Sequence, residues 1–327
     1  MENPVGRWVA RRPVTQRAGP LVAAGLGDNV RRHAPQRGAI RGRVPEAIQS
    51  APVSRFAVIG DPVAHSASPG MFGWLATRLG LPLTYEAVRV LPGELATVLE
   101  QTRRGRWDGL SVTLPHKHDA LVLADRAVPG ATRTGAANCL ARGEDGRLVA
   151  HNTDVEGVAR ALAMHGLSLR GANILLLGAG GAARAGAVAS REAGAARLWV
   201  ANRHPARAVE LASAFQGEAM PLTGAALAPV LPEVDVVLQA TSVGLEAPGD
   251  SPLPPDCVLH DRLTVMDMVY RPLRTRLLRD AEASGARSID GLWMLVFQGL
   301  AQLRLWTGVD PGPEVAPALH AHLAEGG

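Results

Sequence analysis

Asn173-Ile-Leu-Leu-Leu-Gly178-Ala-Gly180-Gly181-Ala-Ala183-Arg184 decides the architecture of this chain. It reads as an apolar strand running through a G-x-G-x-x-A turn into a helix. Gly178 permits the tight turn, Gly180 lets the backbone approach a pyrophosphate, and Ala183 keeps the helix close to the strand. The helix N-terminus offers free N–H groups and a positive dipole end to phosphates. Ala179, Gly181 and Ala182 complete the expected cofactor-binding loop. A Gly-rich structural turn is the other reading of the motif alone. The next strand distinguishes between cofactors. It ends in Asn202-Arg203, with Arg207 one turn into the following helix, and it carries no Asp or Glu to hold a ribose 2′-hydroxyl. Two guanidinium groups suit a 2′-phosphate, so NADP(H) is expected rather than NAD(H). Two ordinary surface arginines in an Arg-rich chain are the alternative.

Outward from this motif, strands and helices alternate twice. Residues 55–60, 83–90 and 107–114 read as strands, and 69–80, 92–105 and 116–124 as helices. Residues 136–141 and 147–150 form a hairpin across Gly143-Glu-Asp-Gly146, followed by a helix over 155–165. The second half has strands at 173–177, 197–201, 235–240 and 264–268, with helices at 182–194, 205–215, 273–285 and 292–307. The chain has 327 residues, about two domains' worth. The expected fold class is α/β, with two α/β domains flanking a cleft, each built on a mostly parallel sheet. Residues 55–155 would form the first of these domains and 156–290 a Rossmann NADP-binding domain.

Composition excludes several classes. The chain is 47% apolar and 20% charged, too apolar for a disordered chain. No run approaches the ~18 consecutive apolar residues of a membrane span, so no membrane partner is expected. Two cysteines, Cys139 and Cys257, cannot build a disulfide framework, which suits a reducing cytosol and a cytoplasmic protein. Residues 1–50 carry nine Arg against Glu2, Asp28 and Glu46, whereas acidic residues slightly outnumber basic ones in the rest. The body therefore gives no reason to expect a nucleic-acid partner. Residues 1–54 read as a disordered basic extension or a mis-assigned start, with a transit peptide or a nucleic-acid tail as alternatives.

Of 34 basic residues, 33 are arginine, and the single lysine is Lys117. Arginine stays charged, whereas a lysine amine can give up and regain a proton. Lys117 stands in Ser111-Val-Thr113-Leu-Pro115-His-Lys117, at the C-terminal end of a strand, where open α/β sheets bind ligands. Asp154 closes His151-Asn152-Thr153-Asp154 after the hairpin's second strand. A lysine beside an aspartate in a cleft can transfer protons, with the carboxylate positioning the amine. A plain helix cap is the alternative for Asp154. His65-Ser66-Ala-Ser68-Pro69 also has two readings: a cap for the helix starting near Pro69, or two hydroxyls that hold a small carboxylate.

Nine stretches, in order, resemble the shikimate dehydrogenase family, over roughly residues 55–310. They are Gly60-Asp-Pro-Val-Ala-His-Ser-Ala-Ser-Pro69, Val112-Thr-Leu-Pro-His-Lys117, Gly135-Ala-Ala-Asn138, Asn152-Thr-Asp154 and Gly178-Ala-Gly-Gly-Ala-Ala-Arg184. Asn202-Arg203, Ala240-Thr-Ser-Val-Gly244, Asp267-Met-Val-Tyr-Arg-Pro272 and Asp290-Gly-Leu-Trp-Met-Leu-Val-Phe-Gln298 complete the series. The resemblance implies NADP-dependent, reversible reduction of 3-dehydroshikimate to shikimate, a step of chorismate and aromatic amino-acid biosynthesis. It implies that Ser66 and Ser68 bind the carboxylate, that Thr113, Asn138 and Gln298 contact the ring hydroxyls and carboxylate, and that Lys117 and Asp154 are the catalytic pair. Tyr270 and Gly291 would line the cleft near substrate and nicotinamide, and Thr241, Val243 and Met268 would lie beside the cofactor. The implied partner is a small molecule, the implied state a monomer or homodimer, and no metal is required.

Asp61, His116, His118, Cys139, Ala150, His204 and Gln239 depart from the family pattern. A quinate or aminoshikimate dehydrogenase paralogue is therefore an alternative, as is another NADP-linked Rossmann enzyme. A non-catalytic regulatory relative should have lost the lysine or the aspartate, and both are present. His116 and His118 lack a third ligand for a metal and are expected as solvated helix residues. Met164, Trp293, Met294 and Phe297, at or near helical spacing, are expected in the core.

Overall fold

In the computed structural model, which describes residues 52–326, the apolar run at 56–59 is buried, as a strand flanked on both sides must be. The first half runs β1 (Ser54–Gly60), α1 (Ser68–Leu79), β2 (Leu83–Arg89), α2 (Leu95–Arg103), β3 (Gly109–Val112) and α3 (Lys117–Leu123). It continues through β4 (Arg126–Ala127), α4 (Pro129–Thr134), the hairpin β5 (Cys139–Arg142) and β6 (Leu148–His151), and α5 (Asp154–Met164). The sheet order is β2-β1-β3-β5-β6-β4. β1 lies parallel to both β2 and β3, as the β-α-β alternation requires. The hairpin joins antiparallel to β3, so this sheet has three parallel pairings and two antiparallel ones.

The second half runs β7 (Asn173–Leu177), α6 (Gly181–Ala193), β8 (Arg197–Asn202), α7 (Pro205–Ala214), β9 (Glu218–Pro221) and α8 (Gly224–Leu227). It then runs β10 (Val236–Gln239), β11 (Thr264–Asp267), α9 (Arg276–Ala283), β12 (Arg287–Ile289), α10 (Gly291–Thr307) and α11 (Val315–Ala324). The order β12-β11-β10-β7-β8-β9 is parallel throughout. Strand order reverses between β10 and β8 on either side of β7, which opens a ligand crevice at the C-terminal strand ends. Ile174, Leu175, Leu176 and Leu177 are all buried, which explains why the motif strand reads as an unbroken apolar run. Ala183, Ala185, Gly186, Ala187 and Ala189 let α6 lie close to it.

α5 and α10 tie the two sheets together. Their buried Val158, Ala161, Leu162, Leu292, Val296 and Leu300 share one core with Met71, Phe72 and Leu75 of α1 and Ile174 and Leu176 of β7. The close crossing depends on Gly157, where an added Cβ would lie 2.9 Å from the Met294 carbonyl oxygen. At the far end of α10, the Trp306 ring stacks on Phe56 at 4.5 Å and its Nε1–H donates to the Leu140 carbonyl at 3.1 Å. α10 thus starts beside the second sheet and ends against the first.

The structure departs from the sequence expectations at short or interrupted elements. β4, α4, β9 and β12 are too short to show a period. α11 carries Pro317, which argues against a helix but is tolerated in the first turn. Met164, expected in the core, is 41% exposed because it ends α5. Of the expected extension, residues 1–51 lie outside the described residues, and β1 already begins at Ser54. Among the described residues, no helix is long and apolar enough to cross a membrane.

Trp306→Ala is expected to cost about 3 kcal/mol in urea denaturation, because it removes both the stack and the tie to β5. Trp306→Phe keeps an aromatic face and should cost only about 1 kcal/mol, the worth of the indole hydrogen bond. Equal midpoints for all three proteins would contradict this account of α10.

Candidate functional site

The site begins with an ion pair. Lys117 opens α3 and Asp154 opens α5, and Lys117 Nζ lies 2.7 Å from Asp154 Oδ2. The lysine side chain is 19% exposed and the aspartate side chain 6%. Asp154 Oδ1 accepts from Asn138 Nδ2 at 2.7 Å, so both carboxylate oxygens are bonded. Asn138 is fixed in turn, because its Oδ1 accepts the Thr153 backbone N–H at 2.7 Å. The Asn138 amide also faces Gln298 Oε1 at 3.3 Å, across from α10. Four residues marked in the sequence therefore stand in one hydrogen-bonded group.

The group extends further than the motifs showed. Gln302 Nε2 donates to Gln298 Oε1 at 2.8 Å, and Ser111 donates to Gln302 Oε1 at 2.5 Å. The Tyr85 hydroxyl donates to Ser111 at 2.6 Å. Burial pushes the Tyr85 phenol well above its ordinary range, against the opposing effect of the Ser111 and Ser68 hydroxyls, so it acts here as a neutral hydrogen-bonding group. Ser68 is buried, and its backbone N–H donates to Ser66 Oγ at 3.2 Å. The N-cap of α1 is Ala67 and no side chain makes a cap bond there, so neither serine fills the capping reading. Thr113 and Tyr270 are half-buried, Tyr270 against the main core.

The Gly-rich turn lies beside the lysine. A Cβ at Gly181 would sit 3.5 Å from Lys117 Cδ. Gly178 has φ +111°, and a Cβ there would meet the Ala240 carbonyl oxygen at 2.9 Å, so only glycine serves. A Cβ at Gly180 would meet no protein atom within 4 Å beyond its own chain neighbours, which leaves the space above the turn open to a phosphate group. Ala179 and Ala182 flank this turn and are half-buried. The donor set and the space fit a dinucleotide pyrophosphate. Asn202 is buried, and its Nδ2 donates to the His204 carbonyl at 3.1 Å, shaping the loop that carries exposed Arg203 and leads into α7, where Arg207 is also exposed. Among the described residues neither guanidinium pairs with a carboxylate, unlike Arg184, which pairs with Glu210.

The loop after β10 is held by Gln239, a departure from the family pattern that had no expected role. Its Oε1 accepts from Thr241 N–H at 2.8 Å, and its Nε2 donates to the Val243 carbonyl at 3.2 Å. Thr241 and Val243 are set by this clamp. Gly291 brings α10 against the end of β11: an added Cβ would lie 2.7 Å from the Met268 carbonyl carbon. His116 corrects an expectation. It is 2% exposed rather than solvated, and its Nε2–H donates to the Val90 carbonyl at 2.7 Å. His118 is exposed as expected. Tyr85 and Gln302 had no local sequence signal as site residues, beyond Gln302 lying four residues after Gln298 on one helix face.

Comparisons with known proteins agree along the chain. Family models match for the shikimate dehydrogenase substrate binding domain at residues 58–140 and shikimate / quinate 5-dehydrogenase at 160–245. The shikimate 5′-dehydrogenase C-terminal domain matches at 291–316. A shikimate dehydrogenase (NADP(+)) of Thermus thermophilus is 46% identical over 263 residues, covering 79% of this chain and 94% of its own length. The crystal structure of a shikimate 5-dehydrogenase from Thermus thermophilus, in complex with NADP(H) and shikimate, superposes with a TM-score of 0.75. It is 42% identical and covers 82% of this chain and 99% of its own. The ligand-free 5-ketofructose reductase of Gluconobacter sp. strain CHM43 superposes with a TM-score of 0.73 at 30% identity, covering 83% and 99%.

Asp267, in a quoted stretch but given no role, carries a pH dependence. It ends β11 fully buried, and its carboxylate accepts from Val269 N–H at 2.9 Å and Thr275 Oγ1 at 2.7 Å. Burial outweighs these bonds and pushes its pKa from the ordinary 3.8 up to about 6. The unfolded chain therefore releases this proton first. Stability from this group is greatest below about pH 4 and falls by up to about 3 kcal/mol as the pH rises through 6. Asp267→Asn is expected to flatten that stretch of the stability curve, measured by urea denaturation at intervals from pH 4 to pH 7. An unchanged slope would contradict the assignment.

Proposed function

The chain belongs to the shikimate dehydrogenase family, and from that premise we propose that it catalyses the reversible NADP-dependent reduction of 3-dehydroshikimate to shikimate. The observation that carries the proposal is the Lys117–Asp154 pair at 2.7 Å, placed against the Gly-rich turn through Gly181. The reaction adds a hydride to a ketone carbon and a proton to its oxygen. When bound, NADPH supplies the hydride.

In this reading Lys117 does two things. Its ammonium offsets the negative charge that develops on the ketone oxygen, and it delivers the proton that turns the alkoxide into an alcohol. Asp154 aims the amine by holding Nζ, and Asn138 keeps Asp154 from turning away. In the reverse direction the amine takes the proton back. Ser66 and Ser68 hold the substrate carboxylate, and Thr113, Asn138 and Gln298 hold ring oxygens, with Tyr270 closing the cleft. The turn 178–182 holds the pyrophosphate, and Arg203, on the loop that Asn202 shapes, and Arg207, in the first turn of α7, hold the 2′-phosphate. Thr241, Val243, Met268 and Gly291 border the nicotinamide. Residues 55–155, with the helix at roughly 291–315, act as the substrate domain, and 156–290 as the cofactor domain. The partner is the small-molecule substrate alone, and the enzyme works in the cytoplasm as a monomer or homodimer.

The 30% identical 5-ketofructose reductase shows why substrate identity needs its own test. NADPH oxidation should be followed with 3-dehydroshikimate, 3-dehydroquinate and 5-ketofructose at matched concentrations. Turnover should be highest on 3-dehydroshikimate, and a preference for either other ketone overturns the substrate assignment. Lys117→Ala is expected to lower kcat about 10²–10⁴-fold with the NADPH KM unchanged. Turnover near wild type would remove the lysine from the mechanism. Arg203→Ala with Arg207→Ala should raise the KM for NADPH about tenfold or more and leave that for NADH unchanged. An equal change for both cofactors would show that these arginines do not read the 2′-phosphate.

A further inference from the structure

Gln302 lies one helical turn beyond Gln298 on α10, so both side chains leave the same face. It is 1% exposed, and both ends of its amide are bonded. Nε2 lies 3.3 Å from the backbone carbonyl of Asn138, a group that only accepts, so this end of the amide is the NH2. Oε1 at the other end accepts the Ser111 hydroxyl proton at 2.5 Å. That bond uses the one Ser111 proton, so the Tyr85 hydroxyl must be the donor in its 2.6 Å bond to Ser111. Toward the cleft, Gln302 Nε2 donates to Gln298 Oε1 at 2.8 Å. Two NH2 groups cannot face each other, so Gln298 is held with its oxygen toward Gln302 and its nitrogen turned away. That nitrogen donates to the Leu295 carbonyl at 2.9 Å. Its second proton has no acceptor among the described residues.

We propose that Gln302 is a positioning residue: it fixes the polarity of the Gln298 amide so that an N–H, not a carbonyl, is presented to the ligand. The site is thereby selective for a ligand oxygen that can accept at this point. Gln302 itself touches neither substrate nor cofactor. The inference rests on the reading of Gln298 as a substrate contact. The direction of the chain from Tyr85 through Ser111 and Gln302 to Gln298 is set by chemistry at two points, the Asn138 carbonyl and the single Ser111 proton. An apolar residue at 302 would remove the shortest bond to Gln298 Oε1 and leave the amide held by the 3.3 Å Asn138 contact and the Leu295 carbonyl, and a carboxylate there would demand the opposite face of its amide.

The test uses the full chain with NADPH and 3-dehydroshikimate. Gln302→Met, similar in volume, is expected to raise the KM for 3-dehydroshikimate about tenfold while the KM for NADPH and kcat stay close to wild type. Gln302→Glu still accepts from Ser111 but draws the Gln298 NH2 toward itself, and should raise the same KM at least as far. In a Gln298→Ala background the Gln302→Met change should add less than about twofold, because no amide remains to be oriented. A full tenfold effect in that background, or an unchanged KM in both single variants, overturns the proposal. If Gln302→Met fails to fold, Gln302→Glu and its double variant with Gln298→Ala decide the matter by the same criterion. Wild-type chain that does not turn over 3-dehydroshikimate sinks the underlying function, and this inference with it. Additivity with wild-type turnover intact sinks the inference alone.

Discussion

A carboxylate withdrawn from water has to be matched on both oxygens, since removing an ion from solvent costs several kcal/mol after all relaxation. Asp154 meets that requirement with Lys117 on one oxygen and Asn138 on the other. The three residues come from separate parts of the chain, and the register of the first sheet brings them together. Ser111 pairs with Cys139, and Cys139 pairs with His151. Those three positions form one row across β3, β5 and β6. The chain leaving Ser111 leads to Lys117, the chain entering Cys139 comes from Asn138, and the chain leaving His151 leads to Asp154. All three therefore emerge at one edge only because β5 runs antiparallel. An all-parallel sheet would put Asn138 at the opposite end.

The second sheet solves the complementary problem with parallel strands. Every C-terminal strand end faces the same crevice, so Ala201, Leu177, Gln239 and Asp267 form one row at that edge. The two edges must then be held facing each other. Helices α5 and α10 do this through a shared core, and their approach is close enough to require a glycine at position 157. The consequence at the site is specific. Asp154 is the first residue of α5 and Gln298 lies within α10, so the packing that joins the sheets also positions two members of the hydrogen-bonded group. Stability of that helix pair and geometry of the site are one constraint.

What was legible in the sequence follows from the range of each signal. The Gly-rich turn, the strand before it and the helix after it are local, and the strand at 173–177 is observed with those bounds. Lys117 stood out because arginine fills every other cationic position. Tyr85 was hidden because its role depends on a contact with Ser111, 26 residues away, and Gln302 because its partner Ser111 lies 191 residues back. His116 was misread for a related reason. A polar His-Lys-His run looks solvated, and the Val90 carbonyl that pairs with the buried ring is distant in sequence. Gln239 stands in the sequence only as a departure from the family pattern, because its clamp on the 241–243 loop depends on how that loop folds back.

The arginine bias itself separates two kinds of cation chemistry. Among the described residues, every ion pair apart from Lys117–Asp154 and His320–Asp290 is made by arginine. Arg103 on Asp125 shows the guanidinium in its favoured use, with two N–H donors on one carboxylate. Such pairs fix geometry and never exchange a proton, since a guanidinium does not lose its proton in water. At position 117 a guanidinium could still have paired with Asp154 and still have attracted an oxyanion. It could not have surrendered a proton to that oxyanion and recovered it in the reverse reaction. In the proposed reaction the single lysine of the sequence therefore stands where both charge and a transferable proton would be required, beside the aspartate that pairs with it.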